Sequence, residues 1–374
     1  MIYLDCNATT PVDREVREAM SRSLEKFYGN PSSSHRAGRE AKAVVEAARE
    51  HLASLIGCTP GEIFFTSGGT ESNNLAIIGT ALKNGRGHII TSQIEHPSVM
   101  NTVRHLSGMG FEASYVEVDK DCCVSVEALK AAIRDDTVLI TVMHSNNETG
   151  TLQPIEEIAE IAREKGITFH TDAAQSVGKV VVEASHADLM TIASHKFYGP
   201  KGIGALYIER GQEPFPILYG AGHERGMRPG TENVPGIAGI GKAAEIALRD
   251  MEKRITEATE LRGILLEELR GRIDGLRLNG HAKFTLPGTV NALIPGTNSA
   301  ELVSAVGEKV ALSAGSACHE GVCNPSGVLK AMGLSDPEAL ASIRISIGKD
   351  NTEAEIRTAA EILSETASRM ARKS

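Results

Sequence analysis

The sequence predicts an α/β protein built on a mostly parallel sheet, and three observations predict it. From about Glu62 to Ile208, short apolar runs alternate with amphipathic stretches, the pattern of strands joined by helical crossovers. Polar, glycine-rich segments follow those runs, where ligands bind in such sheets. A chain of 374 residues, 41% hydrophobic and 23% charged, can bury a large core and divide into two domains.

The predicted strands of the first domain are Ile63–Thr66, His88–Ser92, Ala113–Val118, Val138–Met143, Thr168–Asp172, Leu189–Ser194 and Ala205–Ile208, seven runs of strand length. After Pro235 a helical stretch rich in Glu, Leu, Arg and Ala continues to about Ile273 and reads as the link to a second domain. That domain has predicted strands at Val290–Ile294, Val310–Ser313 and Ser342–Ile347. Its last helix opens with the capping-box pattern Thr352-x-x-Glu355 and buries Ile356, Ala360, Leu363, Ala367 and Met370 at helical spacing. Residues 13–255 are expected to form a large domain, and residues 1–12 and 256–374 a small α/β domain.

Net charge is −9 and no dense Lys/Arg run occurs, which argues against direct nucleic-acid binding. No apolar stretch approaches membrane-spanning length, and Asp5 interrupts the start where a signal peptide needs an apolar core, so a cytoplasmic location is expected. Six cysteines show no CxxC pair and no disulfide-like framework.

Lys196 stands 24 residues after Asp172, and each closes an apolar run. Pyridoxal phosphate needs a lysine amine for its Schiff base and a carboxylate to keep the pyridine nitrogen protonated. Neighbouring strands ending in Asp172 and Lys196 would bring both to one sheet edge, although Asp and Lys also end strands in many unrelated proteins. Thr66-Ser67-Gly68-Gly69-Thr70-Glu71 follows a strand and opens a helix, a setting in which free amides and the helix dipole favour phosphate. Gly69 and Thr70 are the candidates there, against the plainer reading of a turn and cap. His96, just after a strand, is placed to stack on a cofactor ring and shuttle protons, or is structural. Asn147 and Gln175 lie in loops after two further strands and could reach the cofactor's phenolic oxygen, Asn147 alternatively the substrate carboxylate. Ordinary turn chemistry is the competing account of both.

The segment Leu312-Ser313-Ala314-Gly315-Ser316-Ala317-Cys318-His319-Glu320-Gly321 consists mainly of small residues and is expected to be a mobile loop. Cys318 there is a candidate nucleophile whose pKa His319 could lower. In Ser342-Ile343-Arg344-Ile345-Ser346, alternation puts Arg344 on the polar face with both serines, suited to a two-bond carboxylate clamp.

These motifs, with Tyr3-Leu4-Asp5, Asn7–Val12, Tyr28–Ser33, Thr66–Leu75, Glu95-His96, Asn146–Gly150, His170–Gly178 and His195–Tyr207, resemble the cysteine desulfurases of the nitrogen-fixation and iron–sulfur-cluster branch. These belong to the class V (fold-type I) aminotransferases, and the likeness covers nearly the whole chain. The resemblance implies a fold-type I pyridoxal-phosphate enzyme with a mostly parallel seven-stranded sheet. It implies Lys196 as the Schiff-base lysine, Asp172 at the pyridine nitrogen, His96 on the ring, and Gln175 and Asn147 at the phenolic oxygen. Gly69, Thr70 and His195 would hold the phosphate. Ser194 is counted beside them because Ala193 stands where many members carry a phosphate-binding serine. Arg344 would clamp the substrate carboxylate with help from Asn30. Cys318, on a Gly-Ser-x-Cys loop, would take sulfur from L-cysteine as a persulfide, and no resident metal is implied beyond transient ligation of an iron–sulfur cluster by Cys318. The family further implies a homodimer in which Thr231, within Gly222–Asn233, contacts the phosphate held by the other subunit. A sulfur-acceptor protein is implied too, serving cluster assembly or a thiolation pathway. The chain departs from the family in Cys6, which replaces a common asparagine and is expected near the substrate entrance, open to oxidation. It departs also in Lys349-Asp350-Asn351 and in a shorter C-terminal tail. A selenocysteine lyase, another aminotransferase of the family, or a non-catalytic sulfur carrier are the competing readings.

Overall fold

The computed structural model describes residues 1–314, 316–319 and 322–372, and of residues 316–319 and 322–323 the backbone alone. The seven apolar runs form one sheet in the order Ile63–Thr66, Gly204–Ile208, Leu189–Ala193, Thr168–Asp172, Thr137–Thr141, His88–Ser92, Glu112–Val116. Gly204–Ile208 alone runs antiparallel to its neighbours. The chain between Ala193 and Gly204 is too short for the crossover that parallel pairing requires, so it turns back beside the strand it leaves.

Both faces of the sheet are covered. Phe65, Met190, Ile192, Ala205 and Tyr207 pack with the helices Arg14–Lys26 and Arg36–Ile56 and the first half of Val234–Arg272. Phe64, Leu189, Leu206 and Ile208 face the opposite way, against Leu75 and Ala76. Strand residues of alternate parity therefore feed alternate layers.

The helix Val234–Arg272 has 39 residues, and at 1.5 Å per residue it is about 58 Å long. Pro235 sits in its first turn, where a missing N–H costs nothing. Its early residues from Val234 to Met251 belong to the core under the large sheet; Leu265, Leu266 and Leu269 belong to a second core with Leu4, Val290, Ile343 and Leu363. That second core lies against an antiparallel sheet ordered Ser313–Ala314, Ser342–Ser346, Thr289–Leu293, Arg277–Asn279. The Thr352/Glu355 capping box opens the final helix, Glu353–Ala371, and Ile356, Ala360, Leu363 and Ala367 are buried on its inner face.

Two expectations need correction. The predicted strand Val310–Ser313 is two: Val310–Ala311 pairs parallel with Ile2–Tyr3, and Ser313–Ala314 pairs antiparallel with Ser342–Ser346. The segment expected to be a loop around Cys318 has a backbone paired as an antiparallel ribbon, Ser316–His319 against Val322–Pro325, with Cys318 opposite Cys323. No helix among the described residues is long and apolar enough to cross a membrane.

Candidate active site

At the C-terminal edge of the large sheet is a cavity of about 340 Å³. Gly69, Thr70, His96, Asn147, Asp172, Gln175, His195 and Lys196, eight of the residues singled out from the sequence, line it. Adjacency of two strands explains the central pair. Thr168–Asp172 and Leu189–Ala193 run parallel side by side with Asp172 opposite Thr191, so Asp172 ends one strand and Lys196 follows the end of the next.

Asp172 is buried, and both carboxylate oxygens are engaged. Oδ2 accepts from Asn73 Nδ2 at 2.7 Å and Oδ1 from the Ala174 amide at 3.0 Å. Asn73 also donates to Ser98 Oγ at 2.8 Å. Asn73 and Ser98 both line the cavity, and neither was singled out from the sequence.

Lys196 Nζ donates to the carbonyls of Asn7 at 2.6 Å and Ala8 at 3.0 Å. Burial pushes this amine down to about 8, Arg344 adds to the shift, and Asp172 and Asp5 oppose it. A free amine near neutral pH is what a carbonyl-capturing lysine requires. His96 caps the helix Pro97–Gly108, its Nδ1 accepting from the Ser98 amide at 3.1 Å, which leaves the other ring nitrogen free toward the cavity. Burial holds its pKa below the ordinary histidine range. His195 is pushed further, to about 4, by burial and then by Lys196, Lys201 and Lys179, so its ring is neutral at pH 7. Its Nδ1 lies 3.1 Å from Thr9 Oγ1.

The helix Gly69–Asn84 begins at the cavity, and its N-cap Gly68 supplies no side chain to its amides. A Cβ on Gly69 would already lie 3.4 Å from the Ala193 methyl, so glycine keeps the space in front of these amides open. Free N–H groups and the helix dipole suit a phosphate.

Three expected residues stand apart from this cluster. Ser194 is fully buried and turned away from the cavity toward Gly199, where any side chain would collide with its hydroxyl. Asn30 is exposed, its Oδ1 accepting from the Ser32 amide at 2.9 Å in a local turn. Thr231 is exposed on the surface of the single chain. The side chain of Cys318 lies outside the described residues. Cys6 is buried rather than open to the entrance, and burial raises its thiol to about 11, the opposite of an oxidation-prone thiolate.

Arg344 is nearly buried beside the cavity. It donates to Asp5 Oδ1 at 2.7 Å, Ser313 Oγ at 2.8 Å and the Asn147 carbonyl at 3.0 Å, while its buried Nε has no partner among the described residues. Ser313 is paired with Arg344 in the small sheet, so the chain leading to Cys318 departs from directly beside this guanidinium. The segment carrying Thr231 is tied down by a buried ion pair that the sequence did not reveal. Arg49 grips Glu224 at 2.9 Å through both nitrogens, and Glu224 also accepts from the Phe65 amide at 2.9 Å. Glu224 and Arg225 hold positive φ there, strain that this pairing supports.

The family model for aminotransferase class-V matches residues 2–358. The chain is 45% identical to a cysteine desulfurase IscS of Dictyoglomus turgidum over 97% of its own length and 93% of that protein. Among solved structures it resembles a NifS-like protein with a TM-score of 0.92 at 36% identity, covering 98% of this chain and 99% of that one. It also resembles SspA, solved in complex with cysteine, with a TM-score of 0.82 at 38% identity, covering 93% and 99%.

Proposed function

The chain belongs to the class-V aminotransferase family, in its cysteine desulfurase branch, and from that premise we propose how its own residues carry the reaction. The observation that carries the reading is the pair Asp172 and Lys196 on adjacent strand ends, facing one cavity that a helix N-terminus also enters. This donor set fits pyridoxal phosphate: a buried carboxylate for the pyridine nitrogen, a lysine of depressed pKa for the aldehyde, and uncapped amides for the phosphate. Gly69, Thr70 and His195 would hold the phosphate, His96 the ring face, and Asn147 and Gln175 the phenolic oxygen. When bound, the cofactor supplies an electron sink for charge that develops on the substrate α-carbon.

Arg344 orients L-cysteine by its carboxylate, and Lys196 Nζ removes the α-proton. Cys318 Sγ accepts the sulfur. The carbon–sulfur bond of the substrate breaks and a sulfur–sulfur bond forms on Cys318. L-Cysteine and the Cys318 thiol thus become L-alanine and a persulfide, the proton of the thiol ending on the alanine. The persulfide then serves an acceptor protein, and the protein acts in the cytoplasm. A homodimer lets Thr231 and its anchored segment reach the partner's phosphate, a role consistent with its exposure on the single chain and with the exposed Leu218 and Tyr219 just before it.

Reconstitution with pyridoxal phosphate tests the reading. Wild type should gain a visible absorption band and convert cysteine to alanine. Lys196→Ala should lose both, and Cys318→Ala should keep the band and lose alanine production. A wild type that takes up no cofactor, or full turnover by Cys318→Ala, would overturn it. Sedimentation of an active monomer would overturn the shared site.

A further inference from the structure

Behind the cavity Lys179 is held between two amide side chains. Its Nζ donates to Gln175 Oε1 at 2.9 Å and to Asn7 Oδ1 at 3.0 Å. Gln175 Nε2 in turn donates to the Asn7 carbonyl at 2.8 Å, the same oxygen that accepts from Lys196 Nζ. Asn7 Nδ2 completes the set by donating to Thr289 Oγ1 at 3.0 Å. A glutamine presents an acceptor at one end of its amide and a donor at the other, and only its partners decide which way it faces. Here both ends are decided. Turned over, Gln175 would press its oxygen against a carbonyl oxygen and its NH₂ against the lysine; the Asn7 amide would meet the lysine in the same wrong sense.

The charged and titratable groups acting on Lys179 are Lys196 and Arg344, which push it down, and Cys6, which pulls it up. Burial outweighs them all and brings it to about 7. As ammonium or as amine it still has a hydrogen for each of the two oxygens. Lys179 also lines a second cavity, of about 280 Å³, together with Asn7 and Cys6. Among the described residues Lys179 hydrogen-bonds Gln175, which the reading above assigns to the phenolic oxygen, and Asn7.

We propose that Lys179 is a positioning residue that locks Gln175 with its amide nitrogen toward the Asn7 carbonyl that Lys196 also contacts, so that the site offers the cofactor's phenolic oxygen a hydrogen-bond donor. The inference rests on the pyridoxal-phosphate reading above. A donor at that oxygen stabilises its anionic form, tightens cofactor binding and lowers the pH at which the bound cofactor's absorption band titrates.

The test compares wild type, Lys179→Met, Lys179→Arg, Gln175→Ala and the Lys179→Met/Gln175→Ala double variant, each stripped of cofactor and titrated with pyridoxal phosphate. The readouts are the dissociation constant and the pH midpoint of the absorption band. Lys179→Met and Gln175→Ala should each weaken binding roughly three- to tenfold, the worth of one hydrogen bond, and each raise the midpoint. The double variant should do no more than the larger single one, because both remove the same interaction. Lys179→Arg, which can only donate, should stay near wild type. If Lys179→Met does not fold, Lys179→Gln is read in its place, since an amide there no longer dictates which way Gln175 faces. An unmoved midpoint in the lysine variant while Gln175→Ala shifts, or shifts that add in the double variant, would overturn the inference and leave the cofactor reading standing. No band in wild type would overturn the reading and the inference with it.

Discussion

Asn73 Nδ2 lies 2.7 Å from Asp172 Oδ2, so a residue of the helix Gly69–Asn84 orients the carboxylate that ends a neighbouring strand. In the proposed reading this carboxylate pairs with the pyridine nitrogen, and the Asn73 amide is the side-chain donor that fixes its orientation. Asn73→Ala removes that donor and opens space beside a buried charge. The expected result is a roughly tenfold weaker hold on pyridoxal phosphate, the worth of a hydrogen bond to a charged group. Fluorescence titration of the apoprotein measures it. Unchanged affinity would show that Asp172 is held by its backbone contact alone.

Lys196 gives a pH dependence of definite sign. Only the unprotonated amine attacks an aldehyde, so below its pKa the capture rate falls tenfold for each unit of acidification. With that pKa brought to about 8 by burial, the rate of pyridoxal-phosphate capture by the apoprotein should climb steeply from pH 6 and flatten above pH 8. A lysine at its ordinary value would keep climbing past pH 10. Stopped-flow absorbance across that range separates the two, and a rise without a plateau would contradict the buried environment described for Lys196.

Asp172, Lys196 and His96 were legible in the sequence because each follows an apolar run, and strand ends in a parallel sheet converge on one edge. Asn73 was not, since its partner is 99 residues away and an asparagine in a helical stretch carries no pattern of its own. The Arg49–Glu224 pair, 175 residues apart, was hidden for the same reason. Val310–Ser313 read as one strand, yet a single apolar run can serve two sheets when the chain changes partner at Leu312. Cys6 was expected near the substrate entrance because it replaces an asparagine common in the family, but its neighbours come from residue 198 and the segment near residue 348, which no local pattern links to it.

Arg344 is held at three points, by Asp5, Ser313 and the Asn147 carbonyl. Such a framework orients a planar fork; a lysine ammonium in the same place would be a single point charge. Arg344→Lys should therefore raise KM for cysteine by about tenfold or more, the scale of a charge-assisted hydrogen bond, with a smaller change in kcat. Because Arg344 makes no contact with Asp172 or Asn73, cofactor affinity should hold. Steady-state kinetics with cofactor in excess tests this, and an unchanged KM would remove Arg344 from substrate binding.

Ala193 presents no side-chain hydrogen-bonding group to the cavity it lines. Its methyl lines the cavity and faces the start of the helix at Gly69, where the amides are uncapped. The neighbouring Ser194 cannot compensate, because its hydroxyl is buried toward Gly199 with no hydrogen-bond partner among the described residues. Ala193→Ser exchanges a hydrogen for a hydroxyl on a side chain that faces the helix start proposed to hold the phosphate, and a hydroxyl donating to an anion gains more than one donating to a neutral group. The expected outcome is a dissociation constant for pyridoxal phosphate lower by about tenfold, read by titration of the apoprotein. Binding of 5′-deoxypyridoxal, which has the ring and aldehyde without the phosphate, should be unchanged. Equal tightening of both ligands would mean that the gain arises at the ring, and would remove the helix start from its proposed role as the phosphate site.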